Sequence, residues 1–84
     1  MKKKKLLEKI LSGSKNIQFD EMVSLIEAFG FRLDRVNGSH HIFKHPDIIG
    51  IVNIQNRKGK VQPYQIRQFL ALVEENNLTL EEKS

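Results

Sequence analysis

The chain has 84 residues, with 14 Lys and Arg against 10 Asp and Glu, three His and no Cys. That length allows one domain with a small core, and the lack of Cys excludes a disulfide framework, a thiolate metal site and a nucleophilic thiol. The net charge of +4 is unevenly spread, with six Lys against one Glu over residues 1–18 and five basic residues against one Asp over 37–67. A polyanion is therefore the first partner to consider, the competing reading being a basic surface that only maintains solubility.

The first residues, MKKKKLLEKILSG, begin like a signal peptide. Glu8 and Lys9 interrupt the apolar run, so no secretory or membrane-spanning segment is expected and the expected location is cytoplasmic. Leu6, Leu7, Ile10 and Leu11 recur at spacings of three and four, which predicts a short amphipathic helix over 3–11 that stops at the SGS run. A second helix opens near Phe19 with an apolar stripe of Phe19, Met22, Val23 and Ile26, and Gly30 closes it as a C-terminal cap. Its adjacent carboxylates, Asp20 and Glu21, point in different directions and suit the positive end of a helix better than a catalytic pair.

Next comes FRLDRV, then Asn37-Gly38, then SHHIFK before Pro46. Asn-Gly between two such runs is a strong hairpin signal, because both turn positions need positive φ. A third strand is expected at about 51–55, IVNIQ. The basic stretch NRKGKVQ leads to Pro63, which suits a first helical turn, and Ile66, Phe69, Leu70 and Val73 continue as a helical stripe. From Asn76 the chain reads as a loose acidic tail. The fold class is thus α+β, in the order helix, three antiparallel strands, helix, after an added N-terminal helix. The whole chain, 1–84, reads as a single domain, with a basic appendage at 1–15, a core at 19–75 and a tail at 76–84.

All three histidines fall between positions 37 and 46. With Asn37 and Gly38 as the turn, one face of the hairpin carries Phe31, Leu33, Arg35, His40, Ile42 and Lys44, and the other carries Arg32, Asp34, Val36, Ser39, His41 and Phe43. The apolar patch of Phe31, Leu33 and Ile42 marks the first face as the packed one. His40 would then lie at the rim of the core, cross-strand from Arg35, with His41 facing outward near Asp34; a bulge after the turn would exchange these roles. Metal binding fits poorly, since His40 and His41 point to opposite faces and His41 and His45 would be about 13 Å apart along a strand. Acid/base chemistry and plain structural histidines remain.

Gly38-Ser39-His40 followed by Phe43, the KHP of Lys44 to Pro46, and KVQPYQIRQFL together resemble the HicA family of bacterial toxin–antitoxin modules. The resemblance covers residues 19–75. It implies a fold similar to the double-stranded-RNA-binding domain and an mRNA endoribonuclease (mRNA interferase) held inactive by a HicB-like antitoxin protein. It makes His40 the catalytic residue, with His41 as second choice, because some members carry the histidine one place later.

Such a ribonuclease needs no metal or other cofactor if the 2′-hydroxyl of the RNA is the nucleophile and a histidine takes its proton, and DNA, lacking that hydroxyl, would not serve. Arg35, Lys44, Lys58 and Lys60 are the candidates for holding phosphate beside Gly38 and Ser39, the last two lysines lying just before a helix N-terminus. No residue stands out as the acid for the leaving oxygen. The competing functions are a non-catalytic RNA-binding module of the same fold and a small domain whose basic surface binds an acidic protein.

Overall fold

The computed structural model describes residues 2–11, 13 and 17–80, the side chains of residues 2–4 and 6 excepted. The serines at which the first helix was expected to stop, and the acidic end of the tail at 81–84, lie outside the described residues. The elements follow the expected α+β order: α1 (Lys2–Leu11), α2 (Phe19–Ala28), β1 (Arg32–Asn37), β2 (His40–Lys44), β3 (Ile51–Gln55) and α3 (Pro63–Glu75). The strands form one antiparallel sheet, β1-β2-β3, with β2 in the centre. The helices gather on one face, as an α+β domain requires to bury one side of its sheet.

Both ends of α2 and the C-terminal end of α3 are closed by neighbouring residues. The backbone N–H of Gln18 donates to Glu21 Oε1 at 2.9 Å, satisfying a donor at the start of α2. At its other end Gly30, at φ 97°, donates to the Glu27 carbonyl and Phe31 to that of Ile26, the paired bonds of a glycine-closed helix end. Asn77, at φ 52°, repeats this arrangement after α3, with Asn77 N–H on Glu74 and Leu78 N–H on Val73. This corrects the expectation of a loose tail: Leu78 and Leu80 are half-buried and pack on the core. In a chain this small two extra leucines matter, because little apolar area is otherwise available.

The core draws on every element except β1, which is exposed along its length: Ile10 of α1, Met22, Leu25 and Ile26 of α2, Phe43 of β2, Val52 and Ile54 of β3, and Ile66 and Phe69 of α3, with Ile17, Phe31 and Val61 from the connections. Phe29, Phe31 and Phe69 meet edge to face at centroid distances of 5.6 and 5.7 Å, a favoured geometry for aromatic pairs. Phe31 thus ends up between the helices and the sheet, just before β1 begins.

The hairpin register differs from the expected one. Asn37 pairs with His40, so the two turn residues are Gly38 and Ser39. Only Gly38, at φ 62°, has positive φ in this turn, which matches a turn with glycine at its first central position. Val36 then pairs with His41 and Arg35 with Ile42, whereas Leu33 pairs with Phe43 and Arg32 with Lys44, so Asp34 is the extra residue of a β-bulge. The bulge moves Leu33 off the face of Ile42 and dissolves the patch that seemed to mark the packed side. Phe43, paired with Val52, and His41, paired with Ile54, face the helices instead. His40, Ile42 and Lys44 occupy the opposite face.

Gly38 has open space around it, since a Cβ built there would meet no atom within 4 Å, so its φ alone limits substitution. Gly38→Val should lower the stability measured by urea denaturation by at least about 1 kcal/mol, and Gly38→Asn, which tolerates that conformation, by much less. Equal losses from the two variants would show that space, and not φ, controls the position.

Candidate functional site

The tip of the hairpin is tied to the loop that follows β3. Asn56 N–H donates to the Ser39 carbonyl at 3.0 Å, and Gln55 Nε2 donates to Ser39 Oγ at 3.1 Å. Asn56 Oδ1 in turn accepts from Gly59 N–H at 2.8 Å, and the Gly59 carbonyl accepts from Phe19 N–H at 2.8 Å. A continuous run of hydrogen bonds therefore joins the histidine hairpin, the basic loop and the N-terminus of α2. Val61 N–H on the Ile17 carbonyl, at 3.3 Å, closes the far side of the same loop.

The basic loop is itself a small hairpin. Arg57 and Lys60 exchange both backbone hydrogen bonds at 3.0 Å, and the two residues between them, Lys58 at φ 53° and Gly59 at φ 81°, both have positive φ. This is the type I′ turn that the Asn37-Gly38 pair had promised elsewhere. A lysine in the left-handed region carries a steric cost that glycine or asparagine would avoid. With its carboxamide oxygen turned towards it, Gln62 accepts from the Arg57 guanidinium. Lys58 and Lys60 are exposed, and neither has an ion-pair partner among the described residues.

The three histidines have three different settings. His40 is half-buried on the sheet face away from the helices, with its Nδ1 3.2 Å from Asn53 Oδ1. His41 points to the helix side, where its ring meets Phe19 edge to face at 4.7 Å and its Nδ1 lies 3.4 Å from the Ser39 carbonyl. The expected placing of these two, His40 towards the core and His41 outward, is thus reversed, because the helices cover the face of Phe43, Val52 and Ile54, while the bulge at Asp34 takes Leu33 away from Ile42. His45 is buried against Phe31 at 5.0 Å, and its Nδ1 accepts from Asp47 N–H at 3.0 Å, so any proton on the neutral ring is on Nε2. It is a structural residue that holds the turn after β2.

The basic residues divide likewise. Asp34, the bulged residue, draws Arg35 to 3.2 Å and Lys44 to 3.7 Å. Arg35 stands opposite Ile42, not His40 as expected, and is only a diagonal neighbour of the histidine. Lys44 is four residues further along β2, about 13 Å from His40. Gly38, Ser39, His40, His41, Lys58 and Lys60 are therefore brought to one end of the molecule, and Lys44 is not. Sequence reasoning missed Asn53, Gln55 and Asn56. The alternation in IVNIQN was the available signal, since Asn53 and Gln55 are the polar members of a strand whose other face, Val52 and Ile54, is buried.

A family model described as the HicA toxin of bacterial toxin–antitoxin matches residues 19–74. The chain belongs to the HicA toxin family. No curated protein and no solved structure matches it. The match begins at the first residue of α2 and ends within α3, so it contains the hairpin and the basic loop, while α1 lies outside it. Among the described residues no helix is long and apolar enough to cross a membrane.

The settings of the histidines give them unequal weight in stability. His45→Ala should destabilise this HicA protein by about 2 kcal/mol or more, through lost packing and an unpaired Asp47 N–H. His40→Ala, on an open face, should stay within about 0.5 kcal/mol of wild type in the same thermal melts. Lys58→Gly should raise stability by about 1 kcal/mol through relief of its left-handed conformation, and a lower melting temperature would show that the turn carries no strain.

Proposed function

We propose that this HicA protein is a metal-independent endoribonuclease that cleaves mRNA in the cytoplasm, with His40 as its general base. The observation that carries the reading is the clamp joining the hairpin to the basic loop: it sets a solvent-accessible histidine and two lysines without an ion-pair partner among the described residues on one hydrogen-bonded frame. His40 removes the proton of an RNA 2′-hydroxyl. The oxygen attacks the adjacent phosphorus, and the bond to the 5′-oxygen breaks to leave a 2′,3′-cyclic phosphate and a 5′-hydroxyl that takes its proton from water. Positioned acid/base catalysis of this kind contributes roughly 10² to 10⁴ in rate. Lys58 and Lys60 hold phosphate, and the N-terminus of α2, bonded to the Gly59 carbonyl, adds its partial positive charge at the same end.

Of the other residues expected to bind RNA, Gly38 and Ser39 shape the hairpin tip beside the scissile site. Arg35 assists from its diagonal position, and Lys44, drawn to Asp34, contributes at the far end of the strand if the RNA extends that far. His41 is the second choice for the base, since it is also half-exposed and its ring is oriented by Phe19. A HicB-like antitoxin would inhibit the enzyme by covering the hairpin tip and the basic loop, which lie close enough to be masked by one surface.

Induced expression of the wild-type chain should arrest growth and degrade mRNA, whereas His40→Ala should accumulate as folded protein and do neither. Equal toxicity of the two would remove His40 from the chemistry, and loss of toxicity only in His41→Ala would transfer the role by one residue. Replacing Lys58 and Lys60 together with Ala should weaken RNA binding for all sequences alike and lower the slope of log affinity against log salt by about 0.7 for each lost contact. A wild-type protein that binds RNA and never cleaves it would favour the non-catalytic RNA-binding module.

A further inference from the structure

Asn53 lies on the open face of the sheet, one residue from each of two buried neighbours, Val52 and Ile54. Asparagine is disfavoured within a strand, having neither the branching nor the apolar surface that a pleated surface rewards. Nothing in the packing of the core calls for it, because its side chain points away from the helices. Among the described residues the one hydrogen-bond partner of its side chain is His40: Oδ1 stands 3.2 Å from Nδ1 of the ring.

The bond is built into the sheet. On β3 the residue opposite His40 is Gln55, and Asn53 stands opposite Ile42, so Asn53 and His40 are diagonal neighbours on one face. Both backbones are fixed by the β2–β3 ladder. The end of β3 is held further by α3, since the buried Gln65 accepts from Gln55 N–H through its Oε1 at 3.0 Å. The side chains therefore meet without ordering any loop.

We infer that Asn53 is the positioning residue of His40: its carboxamide oxygen accepts the Nδ1 proton and thereby leaves Nε2, on the far side of the ring, as the nitrogen that takes the 2′-hydroxyl proton. This rests on the assignment of His40 as base and names the group that orients it. A carbonyl oxygen accepts only from a protonated nitrogen, so the contact selects the tautomer with hydrogen on Nδ1. It also restricts rotation of the ring. Because an amide is uncharged, the histidine is oriented without a neighbouring carboxylate that would repel the phosphate of the substrate.

The test uses the full chain. In ring-nitrogen NMR spectra of the neutral wild type, His40 should be protonated at Nδ1, and in Asn53→Ala it should shift towards protonation at Nε2. With labelled RNA, Asn53→Ala should lower kcat about fivefold, the effect of one neutral hydrogen bond, and leave KM nearly unchanged. Asn53→Asp should recover kcat at high pH and move the acid limb of its pH profile upward, since a carboxylate favours the charged ring. A ring spectrum identical in wild type and Asn53→Ala overturns the hydrogen bond. A changed spectrum with unaltered kcat and pH profile overturns its part in the reaction. His40→Ala, run alongside, keeps the two failures apart: cleavage that survives it overturns the base assignment itself, and the ring spectra still report on the Asn53 contact.

Discussion

Consecutive residues of a β-strand point to opposite faces, and most of this molecule's chemistry follows from where that rule places the central strand. In β2 the helices cover the face of Phe43, which packs with Val52 and Ile54 of its neighbour. His41 must then share the covered side, and His40 must look the other way. The bulge at Asp34 makes this arrangement compatible with the turn at Gly38-Ser39: without an extra residue in β1, Leu33 could not pair with Phe43 while Arg35 pairs with Ile42. A register choice thus distributes three clustered histidines among an open face, a helix contact and the core.

The second constraint is the hydrogen-bonded run from Ser39 through Asn56 and Gly59 to Phe19. It connects three segments that are distant in sequence, and it allows the basic loop to hold a non-glycine residue in the left-handed region. Local strain of this sort persists when the surroundings over-determine it, and here the strained residue carries the charge at the tip. The two exposed ion pairs to Asp34 contribute little to stability, as such pairs usually do. Their consequence is electrostatic, because Asp34 partly offsets the charge of Arg35 and Lys44, while Lys58 and Lys60 have no ion-pair partner among the described residues.

The elements at the two ends belong to the structure as well. Ile10 of α1 enters the core and Lys9 approaches Glu21 of α2 at 3.6 Å, while Leu78 and Leu80 fold back beyond α3. Both additions enlarge a core that a helix, sheet, helix unit of this length would otherwise keep small. The HicA match stops short of them, and they lie on the helix side of the sheet, away from Asn53 and His40.

By itself the sequence determined the order of elements, the helical stripes through Ile26 and Phe69 and the glycine cap at Gly30. These are local properties, set by periodicities of 3.6 and 2 and by single residues with special backbone freedom. The HicA motif at Gly38 to His40 was legible for the same reason, being contiguous. Which face of the hairpin is covered was decided only by tertiary structure, since the contest is between apolar patches assembled from different strands and one bulged residue changes the membership of one of them. The partnership of His40 with Asn53, the clamp of Asn56 on Ser39, the burial of His45 and the return of Leu78 to the core likewise depend on residues that the chain brings together only by folding, and no local pattern encodes a contact across thirteen or more positions of sequence.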